Sequence, residues 1–116
     1  MKYKYGKAVV TKDNAMTVYL ATGFWSRLCG LLFRPALLSH EALWISPCSC
    51  VHTIGMRYAI DIVFLDAAMN VTAVYQNVRA GRARRCGKAQ SVLEMSAGAA
   101  AAQGLFPGVK FQFFNG

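Results

Sequence analysis

A carboxylate interrupts the most hydrophobic run of the chain: Asp61 stands between Ile60 and Ile62 in Ile60–Leu65 (IDIVFL). A charge in such a run must find donors or a cation, because burying it alone costs several kcal/mol. The residues just before the run are also chemical. Cys48, Cys50, His52, Met56 and Arg57 supply two thiols, an imidazole, a thioether and a guanidinium. Cys48–Leu65 is therefore read as both core and candidate site.

With 116 residues, of which 55% are hydrophobic and 16% charged, the chain can fill one core and is not disordered. One domain spanning residues 1–116 is expected. No apolar run approaches the ~20 residues of a membrane helix. The N-terminal stretch MKYKYGKAVV lacks the continuous apolar block of an export signal. A cytoplasmic setting is therefore expected, and the four cysteines are read as reduced thiols, because this much core needs no staples. Cys29 reads as packing. Cys86, among cations, reads as the thiol most open to oxidation.

Period-2 alternation predicts strands over Lys2–Thr11 and Met16–Leu20, joined by the turn Lys12–Asn14. Thr22 caps a predicted helix, Gly23 to about Phe33, which Pro35 ends. Further strands are predicted over Ala42–Ser46, Tyr58–Leu65, Val71–Gln76, Gln90–Met95 and Val109–Phe114. Ser49–Met56 reads as irregular, and Arg79–Lys88 as a mobile basic loop. Ser96 is expected to cap a second helix, Ala97–Gln103, stopped by Gly104. The fold class is α+β: a compact, β-rich, mostly antiparallel sheet or partial barrel of about seven strands with two short flanking helices.

Four blocks, in order, resemble the DUF192 family, a prokaryotic domain of unknown function. They are WSRLCGLLFR at Trp25–Arg34, HTIGMRYAIDIVFLD at His52–Asp66, VLEMSAG at Val92–Gly98 and GLFPG at Gly104–Gly108. Val109 follows the last block where the family often has Asp. The resemblance implies a small β-rich α/β domain and no established activity.

The ligand-binding candidates are His52, Asp61, Arg27, Arg34 and Met56. His52 is either a satisfied, partly buried histidine or a proton-transfer or ligand-binding group, since imidazole titrates near neutrality. Asp61 is either a structural carboxylate, held by backbone N–H groups or an arginine, or part of a site. Arg27 and Arg34 lie seven apart on one predicted helix face, with Gly30 between them. One could neutralise Asp61 and leave the other for an anion. Met56 is core or pocket lining. Cys48-x-Cys50-x-His52 has period-2 spacing but lacks a fourth ligand, so neither a metal nor a cofactor is called for.

Formal net charge is +8, which favours acidic partners. The expected function is small-molecule or peptide binding in a pocket near His52 and Asp61. The alternatives are an enzyme using His52 and Asp61 as acid and base and non-specific nucleic-acid binding through Arg79–Lys88. The expected partner is a small, anionic ligand, with no specific nucleic acid, no membrane and a monomeric chain.

Overall fold

The computed structural model describes residues 8–10, 15–21 and 36–113. Within them lie nine strands: β1 (Ala8–Val10), β2 (Ala15–Ala21), β3 (Glu41–Ile45), β4 (Cys50–His52), β5 (Ile60–Leu65), β6 (Val71–Val78), β7 (Ala83–Arg85), β8 (Ser91–Ser96) and β9 (Gln112–Phe113). One short helix, α1 (Ala99–Ala102), follows β8. The other predicted helix, Gly23–Phe33, lies outside the described residues, and Arg27 and Arg34 lie there with it.

Seven strands form one mixed sheet in the order β6-β5-β8-β3-β2-β1-β9, and β4 and β7 pair as a separate small sheet. All pairs are antiparallel except β2 with β3. The two edges of the large sheet approach each other at one end. Asn70, just before β6, bridges Lys110, shortly before β9; nearby the Val71 amide donates to the Val109 carbonyl and the Val71 carbonyl accepts from the Gly108 amide. The sheet is thus strongly curved without being a closed barrel.

The expectation of about seven strands falls short because of β4 and β7. Both are three residues long. β4 sits in a stretch read as irregular and β7 inside the supposed basic loop. Strands this short carry too little alternation to be seen, and cross-strand pairing alone defines them.

Side-chain alternation on β5 divides the core. Ile60, Ile62 and Phe64 face one side, with Leu43, Ile45, Val51, Val78 and Val92. Val63 and Leu65 face the other, with Leu93, Met95, Ala99, Ala100 and Leu105. The small sheet therefore covers the first face, through Val51, and α1 covers the second. Asp61 shares the parity of Val63 and Leu65, so it points to the α1 side.

Candidate functional site

Asp61 is fully buried, at 0% exposure. Its carboxylate accepts three backbone hydrogen bonds. Oδ1 accepts from the Asn77 amide at 2.8 Å, and Oδ2 from the amides of Gly98 and Ala100, each at 3.0 Å. Each donor has a local cause. The β5–β6 register slips between Ile60↔Val78 and Ile62↔Tyr75, so β6 carries an extra residue there. Asn77, at φ 52°, lies in this bulge, whose unpaired amide needs an acceptor. Gly98, at φ 90°, turns the chain from β8 into α1, and its own side offers no capping side chain. Asp61 supplies that cap from another strand, at the positive end of the helix turn. Ser96, the expected cap, is still paired with Ile60 in β8 and does not perform this role. A carboxylate so enclosed is structural.

His52 is exposed, so of its two readings the partly buried, satisfied histidine does not hold. β4 has the burial pattern exposed–buried–exposed, with Val51 as its inward anchor. Cys50 and His52 consequently share the outer face, as their spacing implies. Asp61 faces the α1 side of the large sheet, whereas His52 stands on the far surface of the small sheet that covers the opposite side. His52 and Asp61, close in sequence, thus face opposite sides of the large sheet.

Register defines what surrounds His52 instead. Cys50 lies opposite Arg85, and His52 opposite Ala83. Directly opposed side chains project from the same face, so Cys50, His52, Ala83 and Arg85 form one outer surface. Arg85, exposed, is the diagonal neighbour of His52, at roughly 7–8 Å between backbones and within reach of a long side chain. Arg84 faces inward: its guanidinium carbon sits 5.4 Å from the centre of the Tyr75 ring, and its Nη1 donates to the Ala83 carbonyl at 2.7 Å. Tyr75 in turn meets Phe64 edge-on, at 6.0 Å between ring centres. Arg84 thus ties the small sheet to the large one, and Arg85 is left to solvent.

An open cleft of about 460 Å³ runs beside the start of β4, lined by Pro47, Cys48, Ser49, Cys50, Ala89 and Gln90. Its walls are held by backbone bonds from Cys48 N–H to the Gln90 carbonyl and from Cys86 N–H to the Ser49 carbonyl. Cys50 and Cys86 are free thiols. Cys86 is half-buried with its sulfur 3.4 Å from the Thr72 hydroxyl, so the most exposed of the described cysteines is Cys50, not Cys86. Met56 is half-buried and packs against the core under the small sheet. Among the described residues, no three His, Cys, Asp or Glu side chains converge as a metal site would require.

Thr53 escaped the sequence reading. It is 0% exposed, and its hydroxyl donates to the Arg79 carbonyl at 2.6 Å and accepts from the Arg82 amide at 2.9 Å. Its backbone N–H bonds the Arg82 carbonyl, and its carbonyl accepts from Gly81 and Met56. One residue therefore ties down the turn that leads from β6 into β7, and the stretch read as a basic loop contains the strand β7. Threonine beside isoleucine carries no signal of such a role.

No helix among the described residues is long and apolar enough to cross a membrane. No curated protein matches the sequence. Two crystal structures share the fold. A protein of unknown function from Novosphingobium aromaticivorans DSM 12444 is 23% identical, with 94% of this chain and 85% of that one aligned at a TM-score of 0.82. A protein from Sinorhizobium meliloti 1021, described as a "putative transcription regulator", is 17% identical, with 97% and 96% aligned at a TM-score of 0.85. At these identities the likeness is one of fold. The profile described as DUF192, Uncharacterized ACR, matches residues 7–113, nearly the whole sequence. The chain belongs to the DUF192 family.

Proposed function

We propose that this domain binds a small anionic ligand, a carboxylate or phosphate compound or the acidic end of a peptide, on the outer face of the β4–β7 sheet. The carrying observation is the register that sets exposed His52 and Cys50 beside exposed Arg85. A guanidinium offers paired N–H donors to carboxylate or phosphate. His52 adds a donor, and a second positive charge when protonated. Ala83 leaves the centre of the face low, so a ligand can lie between the two. The cleft through Pro47–Cys50, Ala89 and Gln90 extends from Cys50 and gives room for the rest of the ligand. Free thiols suit a reducing, cytoplasmic setting.

Acid–base catalysis by His52 and Asp61 is the weaker reading, because a carboxylate enclosed by three amides has no route to a substrate proton.

The test is an amide chemical-shift titration with inorganic phosphate, citrate and a neutral sugar as probes. Saturable shifts from phosphate or citrate at Cys50, His52, Ala83 and Arg85, reduced in Arg85→Gln, are expected. Shifts that are absent, or that gather on the α1 side of the sheet, would sink the assignment.

A further inference from the structure

We propose that the turn Arg79–Arg82, with Arg57, is a second binding surface that grips the phosphodiester backbone of duplex nucleic acid without reading sequence. It uses none of the residues assigned to the anionic-ligand face.

The charge balance is the first reason. No Asp or Glu occurs between Asp66 and Glu94, while Arg79, Arg82, Arg84, Arg85 and Lys88 all do. Four of the chain's five acids lie among the described residues, and each is buried or held by other groups. Asp61 and Glu94 are buried, Glu41 is bound to the Tyr19 hydroxyl and the Leu38 amide, and Asp66 to the amides of Ala68 and Asn70. Arg57, Arg79 and Arg82 are all exposed.

The second reason is pre-organisation. Thr53 holds the Arg79 carbonyl, the Gly81 amide, and both the amide and carbonyl of Arg82. Gly81, at φ 79°, reverses the chain between the two arginines. The Met56 amide bonds the Thr53 carbonyl, so Arg57 leaves from the same anchor. The backbones that carry these three exposed arginines are thus tied, directly or one residue away, to one buried threonine. Fixed backbone lowers the ordering cost of binding.

The chemistry of the surface selects the occupant. Arginine recognises phosphate bidentately. Single-stranded nucleic acid requires open aromatic faces for stacking, but Tyr58, next to Arg57, is half-buried against the core and Tyr75 lies under Arg84. A membrane surface would call for an apolar insertion face, and Ile54 is the sole large hydrophobic residue exposed along described residues 50–90. A duplex backbone needs only the cations.

Fluorescence anisotropy with labelled DNA and RNA duplexes of unrelated sequence, over a salt series, tests this. Binding should be equal across sequences, and log K should fall linearly with log salt. The slope should lessen by about 1 for each of Arg57→Gln, Arg79→Gln and Arg82→Gln. Thr53→Val should weaken binding while all three arginines remain, and Thr53→Ser should restore it; circular dichroism confirms that each variant is folded. Absence of binding at low salt, or a slope indifferent to these arginines, overturns the proposal. So does tighter binding to a single strand, to polyglutamate or to anionic vesicles at the same salt.

Discussion

The carboxylate of Asp61 on β5 accepts the amide of Ala100 in α1 at 3.0 Å, across 39 residues of sequence. The same side chain closes the bulge at Asn77, so one buried charge joins β5, β6 and the start of α1.

Asp61→Ala leaves three amides without an acceptor, at a cost of about 1–3 kcal/mol for each buried donor that water cannot reach. Asp61→Asn keeps one oxygen, which can still serve Gly98 and Ala100 together, and so should recover part of the loss. Denaturant unfolding of the three proteins should rank parent, Asn and Ala in falling order. An Ala variant as stable as the parent would show that these bonds contribute nothing net.

Asp61 also shows what the sequence made legible. A carboxylate within IDIVFL had to be satisfied, and its neighbours had to be core; both are seen. What satisfied it could not be read, because the donors depend on a bulge in β6 and a left-handed glycine at 98. The placement of His52 failed for a related reason. Nine residues of separation hid a change of sheet, and only pairing with β7 shows that β4 turns away from β5. Longer elements were found to within a residue or two, since β5 and β8 are six residues each and flanked by turn residues.

Thiol reactivity should follow exposure. Cys50 is exposed, whereas Cys48 and Cys86 are half-buried; the Cys48 thiol donates to the Cys50 carbonyl at 3.2 Å. Brief treatment of the native protein with iodoacetamide, read by peptide mass spectrometry, should label Cys50 first among these three. Preferential labelling of Cys86 would mean that the β4–β7 sheet opens readily.

Glu41 should make folding sensitive to acid. The Leu38 amide, above all, and the Tyr19 hydroxyl hold its carboxyl below its ordinary value of 4.5, against an opposing effect of burial. The folded chain therefore binds this proton less readily than the unfolded chain. Its contribution to stability is complete above pH 4.5 and is lost as pH falls through the lower folded value. Asp66, held low first by the Asn70 amide, acts in the same direction. Thermal unfolding between pH 6 and roughly pH 3 should show falling stability, with a shallower fall in Glu41→Gln. An identical profile for that variant would assign the acid sensitivity elsewhere.

The turn after β6 should be protected where Thr53 holds it. The amides of Gly81 and Arg82 bond the Thr53 carbonyl and hydroxyl, whereas Gly87 and Lys88 lie in the exposed turn after β7. Native-state hydrogen exchange should therefore be slower at Gly81 and Arg82 than at Gly87 and Lys88. Thr53→Val keeps the shape of the side chain but leaves the Arg82 amide without its acceptor and the Arg79 carbonyl without its hydroxyl donor. It should cost about 1–3 kcal/mol in global stability and speed exchange at Arg82 most. Thr53→Ser retains the hydroxyl and should leave the Arg82 amide protected. If Thr53→Val exchanges as the parent does at both residues, the backbone pairing of β4 with β7 holds the turn unaided, and the threonine hydroxyl is incidental to it.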